Sequence, residues 1–356
     1  MRILIATDAW HPQVNGVVRT LSHLRAEAGR RGCELVFLTP QQFWRVPLPG
    51  YRELRVAIPS SGIVRRIIEQ SEADFIHIAT EGPIGWAVRR YCLAVGRLFT
   101  TSYHTKFPEY ANRILGFPES WVYALERRFH DASAGVMVAT ASLETELRQR
   151  GFSRLMRWSR GVDTEQFKPA AHHVPAAEPV FLYVGRGSRE KNIEAFLDAA
   201  IPGRKMVVGD GPQLPALQSR YRDVTFTGRK TGAELSAIYA AADVFVFPSR
   251  TDTFGLVLLE ALASGLPVAA YPVTGPVDVV EHGVSGILDA DLATAARLAL
   301  SLDRGAARAR AELFSWQRSA DQFFDNLKAA NAAAAKHGRA ARGAFATSAV
   351  PNGGIQ

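Results

Sequence analysis

The chain has 356 residues, of which 47% are hydrophobic and 21% charged, and a net charge of +8. This length suits two domains with sizeable cores, and the composition is that of a globular chain. No run of eighteen apolar residues exists, which excludes a transmembrane helix. The charge is uneven: residues 1–170 hold 23 Lys+Arg against 16 Asp+Glu, a balance of +7, and residues 171–356 hold 19 against 18, a balance of +1. A basic first half points to an anionic partner (membrane surface, nucleic acid or acidic substrate), although an Arg-rich proteome would give the same excess. Cys33 and Cys92 lack metal-ligand spacing and read as buried thiols in a reducing cytoplasm.

Residues 1–7 read as a buried strand starting at residue 2, too short and too soon polar for a signal peptide. Apolar runs at 34–38, 74–78, 99–102 and 135–139 then alternate with helical stretches. The rhythm repeats at 180–184, 206–208, 224–227, 244–247, 268–270 and 286–288. Strands alternating with helices predict an α/β protein with parallel sheets covered on both faces. Residues 168–179 contain three prolines and no periodicity, so they read as a linker between residues 1–170 and 178–312. His172 and His173 within it read as solvated, with no third metal ligand. Phe314 to Leu327 is amphipathic, with Trp316, Phe323 and Phe324. A C-terminal helix over about 314–330 is expected to pack back on the first domain. Residues 331–356 carry no apolar pattern and are expected to be disordered. Two doubly wound domains joined by a linker make a cleft, with ligands at the carboxyl ends of the strands.

The densest chemistry lies in Thr251-Asp252-Thr253-Phe254-Gly255-Leu256-Val257-Leu258-Leu259-Glu260. It follows the apolar run 243–248, with Asp252 and Thr253 as candidate caps for a helix beginning near Phe254. Gly265 stops that helix, and Pro267 to Ala270 starts the next strand. A strand feeding a helix this way leaves backbone N–H groups suited to phosphate. Asp252 at the mouth and Glu260 inside the helix suit the hydroxyls of a diphosphate-linked polyol. Gly185-Arg186 ends another strand, with Lys191-Asn192 near the following helix start. Arg186 and Lys191 can set two cations on a diphosphate whose charge grows as its sugar departs. Gly185-x-Gly187 is not a dinucleotide fingerprint, because Glu190 stands where the third glycine belongs. Asn15-Gly16 joins the first strand to the first helix and can bring bare backbone to a phosphate or a sugar. Gly209-Asp210-Gly211-Pro212 ends a strand and reads equally as a tight turn. His104, in Thr101-Ser102-Tyr103-His104-Thr105-Lys106, and Glu81, in Thr80-Glu81-Gly82-Pro83, both follow strands of the first half. Asp289 and Asp291 read as a helix cap rather than a metal pair.

These segments, with Gly161-Val162-Asp163 and Gly275-Pro276-Val277-Asp278, resemble the family-4 retaining glycosyltransferases over nearly residues 1–330. Asp252 stands where the commonest family pattern has Glu. The resemblance implies the GT-B fold, two Rossmann-like domains facing a cleft. It implies catalytic roles for Arg186, Lys191, His104 and Asp252, with His104 at the transferred sugar rather than as the main base. Donor contacts fall to Asn15, Gly16, Gly185, Asp210, Phe254, Gly255, Leu256 and Glu260, the last on the ribose hydroxyls. Glu81, Lys106 and Tyr110 are candidate acceptor contacts, and Asp163 is a turn-fixing residue. No metal and no cofactor beyond the nucleotide-sugar is expected.

The order of the Thr80-Glu81-Gly82-Pro83 and Ser102-Tyr103-His104-Thr105 segments looks most like the branch that glycosylates diacylglycerol, with related mannosyltransferases. The expected reaction moves a sugar, of the UDP-glucose or UDP-glucuronate type, to a lipid hydroxyl. GDP-mannose and polysaccharide transfer are the alternatives; a nucleotide-sugar epimerase and a non-enzymatic binding module are more remote. Aromatic and basic residues mix in Phe107 to Phe129 and Ile63 to Ile68. They suit an anionic lipid surface, and equally a helix with one buried and one solvated side. The expected place is the cytoplasm, peripherally on the membrane, with no nucleic-acid partner.

Overall fold

The computed structural model describes the chain except residues 14, 49–50, 108–116, 172–177 and 348–356; the side chains of 48, 51–54 and 337–347 also lie outside the description. Tyr110, His172 and His173 therefore fall outside the described residues.

The first sheet has six parallel strands in the order β2-β1-β5-β6-β7-β8. They are β1 (Arg2–Ala6), β2 (Glu34–Leu38), β5 (Phe75–Ile78), β6 (Thr100–Tyr103), β7 (Val136–Val138) and β8 (Leu155–Arg157). Ile3, Leu4, Ile5 and Ala6 are fully buried because helices cover both faces of β1. Those helices are α1 (Gly16–Arg30), α2 (Ser61–Ser71), α3 (Pro83–Ala94), α4 (Glu119–His130) and α5 (Ala141–Gln149). The antiparallel hairpin β3 (Trp44–Leu48) and β4 (Tyr51–Ile58) stands apart from the sheet. Neither the hairpin nor β8 was expected from the apolar rhythm. Trp44 and Ile58 are exposed in the hairpin, and β8 has only Leu155 buried, so neither carries a continuous apolar run.

The second sheet is also parallel, in the order β11-β10-β9-β12-β13-β14. Its strands are β9 (Val180–Val184), β10 (Arg204–Val208), β11 (Thr225–Phe226), β12 (Val244–Phe247), β13 (Val268–Ala270) and β14 (Gly286–Leu288). The runs Val-Phe-Leu-Tyr-Val and Val-Phe-Val-Phe are wholly buried, as central parallel strands require. Around them lie α6 (Ile193–Leu197), α7 (Leu214–Arg220), α8 (Gly232–Ala241), α9 (Leu256–Ala263), α10 (Pro276–Val279), α11 (Leu292–Ala299) and α12 (Arg304–Glu312).

The last helix, α13 (Trp316–Thr347), returns to the first domain. Ala320, Phe323, Phe324 and Leu327 pack with Ile3, Ile5, Leu21 and Trp158. The Trp158 indole donates to the Ser319 carbonyl at 3.1 Å, and Arg31 pairs with Asp321 at 2.7 Å. Where α13 begins, it crosses the segment leaving β8. A Cβ at Gly161 would lie 2.2 Å from the Trp316 nitrogen, so only glycine fits that crossing. The helix runs on through Thr347, where disorder was expected from 331; residues 348–356 of that expectation lie outside the described residues. Its Ala-rich composition has high intrinsic helix propensity and needs no apolar face. Cys92 is buried but Cys33 is only half-buried, and both are free thiols.

Candidate active site

Each sheet has one point where the chain reverses its direction of growth: between β1 and β5 in the first, and between β9 and β12 in the second. Crevices open at the carboxyl ends of strands at such points. Several residues singled out from the sequence stand there: Asn15 and Gly16 after β1, Glu81 after β5, and Lys191 and Asp252 after β9 and β12.

In the second domain, β9 ends in Gly185 and Arg186. The Tyr183 hydroxyl donates to the Arg186 carbonyl at 2.9 Å and fixes that turn. Arg189–Lys191 forms a single 3-10 turn, and Asn192 adopts a left-handed conformation. The Asn192 side chain donates to the Pro248 carbonyl at 3.0 Å, tying this turn to the end of β12. Lys191 Nζ thereby lies 2.6 Å from Asp252 Oδ1, across the β9/β12 crevice. Burial works against a charge on Asp252, but the adjacent Lys191 charge and its hydrogen bond prevail. Its carboxyl stays below the usual value and ionised.

The helix that follows starts later than the sequence suggested. Gly255, at φ 83°, is the N-cap of α9, and no side chain caps it. Asp252 and Thr253 are therefore not its caps: Asp252 turns to Lys191, and Thr253 Oγ1 donates to the His104 carbonyl at 2.7 Å. Phe254 is buried beside Phe314. Glu260 faces inward with 1% exposure, receives the Tyr239 hydroxyl at 3.0 Å and forms an ion pair with Arg19. Burial and then the Glu260 charge hold the Tyr239 phenol well above its usual value, so it remains a donor.

The first domain closes on this loop. Asn15 is the N-cap of α1 and accepts from the Val18 amide at 3.0 Å. This projects Arg19 toward Glu260, and a Cβ at Gly16 would lie 3.8 Å from Leu256 Cδ1. Asn15, Gly16, Leu256 and Glu260 are thus brought together across the cleft. His104 follows β6, and its Nδ1 lies 3.0 Å from Arg160 Nη2. Burial, then the charge of Arg160, then His77 and His130 hold its imidazole well below the usual range, so it is neutral.

The proposed acceptor residues are placed differently. Lys106 is buried and bridges Glu146 at 2.6 Å and Thr274 at 3.3 Å, a polar tie between the domains. Ser142 and Asp278 form a second such tie. Glu81 lies 3.2 Å from His130 Nε2, next to Asp8, which accepts from the Ile84 and Gly85 amides at the start of α3. Burial lifts the Asp8 carboxyl above its usual value despite those bonds. Asp210 is exposed near Arg229 at the end of β10 and does not join the Lys191–Asp252 pair. Asp163 accepts from the Glu165 and Gln166 amides, and Asp291 caps α11, as their spacing suggested. Among the described residues no group of three His, Cys, Asp or Glu could hold a metal.

Arg19, Arg160, Tyr239 and Thr253 were missed. Arg19 and Arg160 stand inside segments read from the sequence, one helical turn after Asn15 and just before Gly161-Val162-Asp163. Nothing local distinguishes them from surface arginines. Tyr239 lies on a helix whose apolar residues do not mark one face.

Two doubly wound domains that meet at their strand ends, with paired cations and carboxylates at the seam, define the GT-B glycosyltransferase architecture. Residues 14–166 match the family described as Glycosyltransferase Family 4, and residues 178–303 match Glycosyl transferases group 1. A GDP-mannose-dependent alpha-mannosyltransferase of Mycobacterium tuberculosis is 31% identical over 322 residues, covering 81% of this chain and 83% of that protein. The alpha-monoglucosyldiacylglycerol synthase of Streptococcus pneumoniae is 27% identical over 354 residues, 83% of this chain and 79% of the relative. Sulfoquinovosyl transferase SQD2 of Arabidopsis thaliana is 30% identical over 266 residues, 68% and 52% of the two chains. Sucrose-phosphate synthase from Thermosynechococcus elongatus shares the fold at a TM-score of 0.76 and 23% identity, covering 93% of this chain and 99% of that one. The chain belongs to glycosyltransferase family 4 and is a glycosyltransferase.

Proposed function

We propose that the enzyme moves a hexose or hexuronic acid from a nucleoside-diphosphate sugar to a hydroxyl of diacylglycerol, with retention of anomeric configuration. The observation that carries the donor half is the Lys191–Asp252 pair across the β9/β12 crevice, just before the uncapped start of α9. Arg186, Lys191 and the first N–H groups of α9 receive the diphosphate, while Glu260 takes the ribose hydroxyls. Asp252 and His104 hold the sugar. The acceptor oxygen attacks the anomeric carbon on the face the phosphate leaves, and the C–O bond to the β-phosphate breaks. Its electron pair stays on the phosphate oxygen, which takes the acceptor proton, so neither a dedicated base nor a metal is needed. Cations fixed before the reaction stabilise this developing charge without reorganising.

The lipid half rests on the named relatives and on the first domain's surface. Phe107, Phe117, Trp121 and Leu125 are exposed, with Arg127 and Arg128 on the same helix as Trp121 and Leu125. Such a mixture suits an anionic bilayer, from which the acceptor enters the cleft. No helix among the described residues is long and apolar enough to cross a membrane. GDP-mannose is the second donor reading, favoured by the mannosyltransferase relatives. The test offers diacylglycerol vesicles and a panel of UDP- and GDP-sugars, with lipid products read by mass spectrometry. A glycosyl-diacylglycerol that is absent with Arg186→Ala supports the assignment. Sugar turnover with no lipid product from any donor removes diacylglycerol as the acceptor.

A further inference from the structure

Arg160 is 4% exposed, and no carboxylate lies within ion-pair distance of it among the described residues. Burial alone pulls its guanidinium down to about 9, still charged at neutral pH. Leaving a charge buried without a counter-ion is expensive unless its donors are used, and here three of the five N–H groups are. Nη1 donates to the carbonyls of Trp158 at 2.5 Å and Ser159 at 3.2 Å. The plane lies over the Trp158 ring at 4.5 Å, a cation–π contact. Nη2 meets His104 Nδ1 at 3.0 Å.

That last bond has only one chemical sense. Arginine carries five N–H donors and no acceptor, so His104 Nδ1 must accept. In a neutral imidazole the single proton then sits on Nε2. Nε2 is buried and has no hydrogen-bond partner among the described residues. The His104 carbonyl is bonded to Thr253, adjacent to Asp252, which puts this residue at the seam of the two domains. His77 and His130 act on the same imidazole through their charge, and His77 spends both ring nitrogens on Thr100 and Ser102.

We propose that Arg160 is a positioning residue: it locks His104 in the tautomer that offers a single Nε2–H donor at the domain seam. This rests on the reading that His104 contacts the transferred sugar. A donor nitrogen there bonds a sugar hydroxyl oxygen, and the opposite tautomer would offer a lone pair instead. Arg160 acts through His104 and touches no reacting atom.

The test uses the full chain labelled with [15N]histidine. His104 is assigned among the nine histidines by the signal lost in His104→Asn. Two-bond proton–nitrogen correlation at neutral pH then reads the tautomer. Wild type shows a bare Nδ1 and a protonated Nε2. Arg160→Met shifts the signal toward a mixture of tautomers and lowers kcat about tenfold, the scale of one lost hydrogen bond, with the donor KM changed less than twofold. Arg160→Lys keeps a donor and retains the Nε2–H form; if the methionine variant fails to fold, the wild-type tautomer carries the test. A wild-type Nδ1–H form, or an unchanged tautomer in Arg160→Met, overturns the proposal. Adding a nucleotide-sugar should move Nε2. If the tautomer depends on Arg160 but Nε2 does not move, Arg160 keeps its positioning role and the sugar contact falls.

Discussion

Replacing Lys191 by methionine separates catalysis from folding. Lys191 Nζ and Asp252 Oδ1 are 2.6 Å apart, with side chains 26% and 21% exposed. A pair this accessible is screened, so its loss should lower stability by no more than about 1 kcal/mol. The leaving diphosphate is another matter. At about 4 Å and an effective dielectric near 20, a unit charge pair is worth about 4 kcal/mol. Removing one preorganised group of this kind lowers kcat by roughly 100- to 1000-fold. Part of the diphosphate charge already exists in the bound donor, so KM should rise by several-fold as well. The substitution also reverses the balance at Asp252: burial remains, the opposing cation is gone, and its carboxyl should rise above the usual value. The assay pairs initial rates of nucleotide release with urea unfolding of the same preparation. A kcat within threefold of wild type would refute the role given to Lys191. A loss of stability above about 3 kcal/mol would show the pair to be structural instead.

Other perturbations probe separate parts of the account. Arg19→Ala removes the cross-domain partner that competes with the proposed ribose contact of Glu260, so nucleoside diphosphate should bind about fivefold tighter by calorimetry; weaker binding would make Arg19 a ligand contact in its own right. Buried His77 is held down to about 3 from 6.5, chiefly by burial, so the unfolded chain binds the extra proton between those values. Stability is therefore full above pH 6.5 and falls as pH drops toward 3, and His77→Gln should flatten urea-derived stability by about 1.4 kcal/mol per pH unit in that window; an unchanged slope would contradict the burial argument. Gly161→Ala drives a Cβ into the Trp316 backbone and should lower stability by at least about 2 kcal/mol, measured as a fall in Tm; a neutral effect would mean the crossing is not tight.

The apolar rhythm made the two sheets readable, because central parallel strands such as Val180–Val184 must be apolar on both faces. The edges were harder: β8 and the β3–β4 hairpin are short or half exposed and carry no such pattern. The proposed donor residues follow strand ends, where sequence neighbours become spatial neighbours, so their grouping was readable. Contacts across the cleft were not. Arg19 meets Glu260 and His104 meets Thr253 across the two domains, and pairs so far apart in sequence have no local signature. Lys106 illustrates the same gap: it was read as an acceptor contact, and in the structure it pairs with Glu146. The Ala-rich stretch after 331 was misjudged because a helix can persist on propensity without an apolar stripe.

The claim on which the rest depends is that the β9/β12 crevice holds the donor's diphosphate. Calorimetric titration of UDP and of GDP into wild type and into an Arg186→Ala/Lys191→Met variant, each with and without EDTA, tests it directly. One nucleotide should bind wild type regardless of EDTA and bind the variant at least about 100-fold more weakly, as the loss of two charge-assisted contacts implies. Equal affinity for the two proteins would put the diphosphate elsewhere and contradict the account.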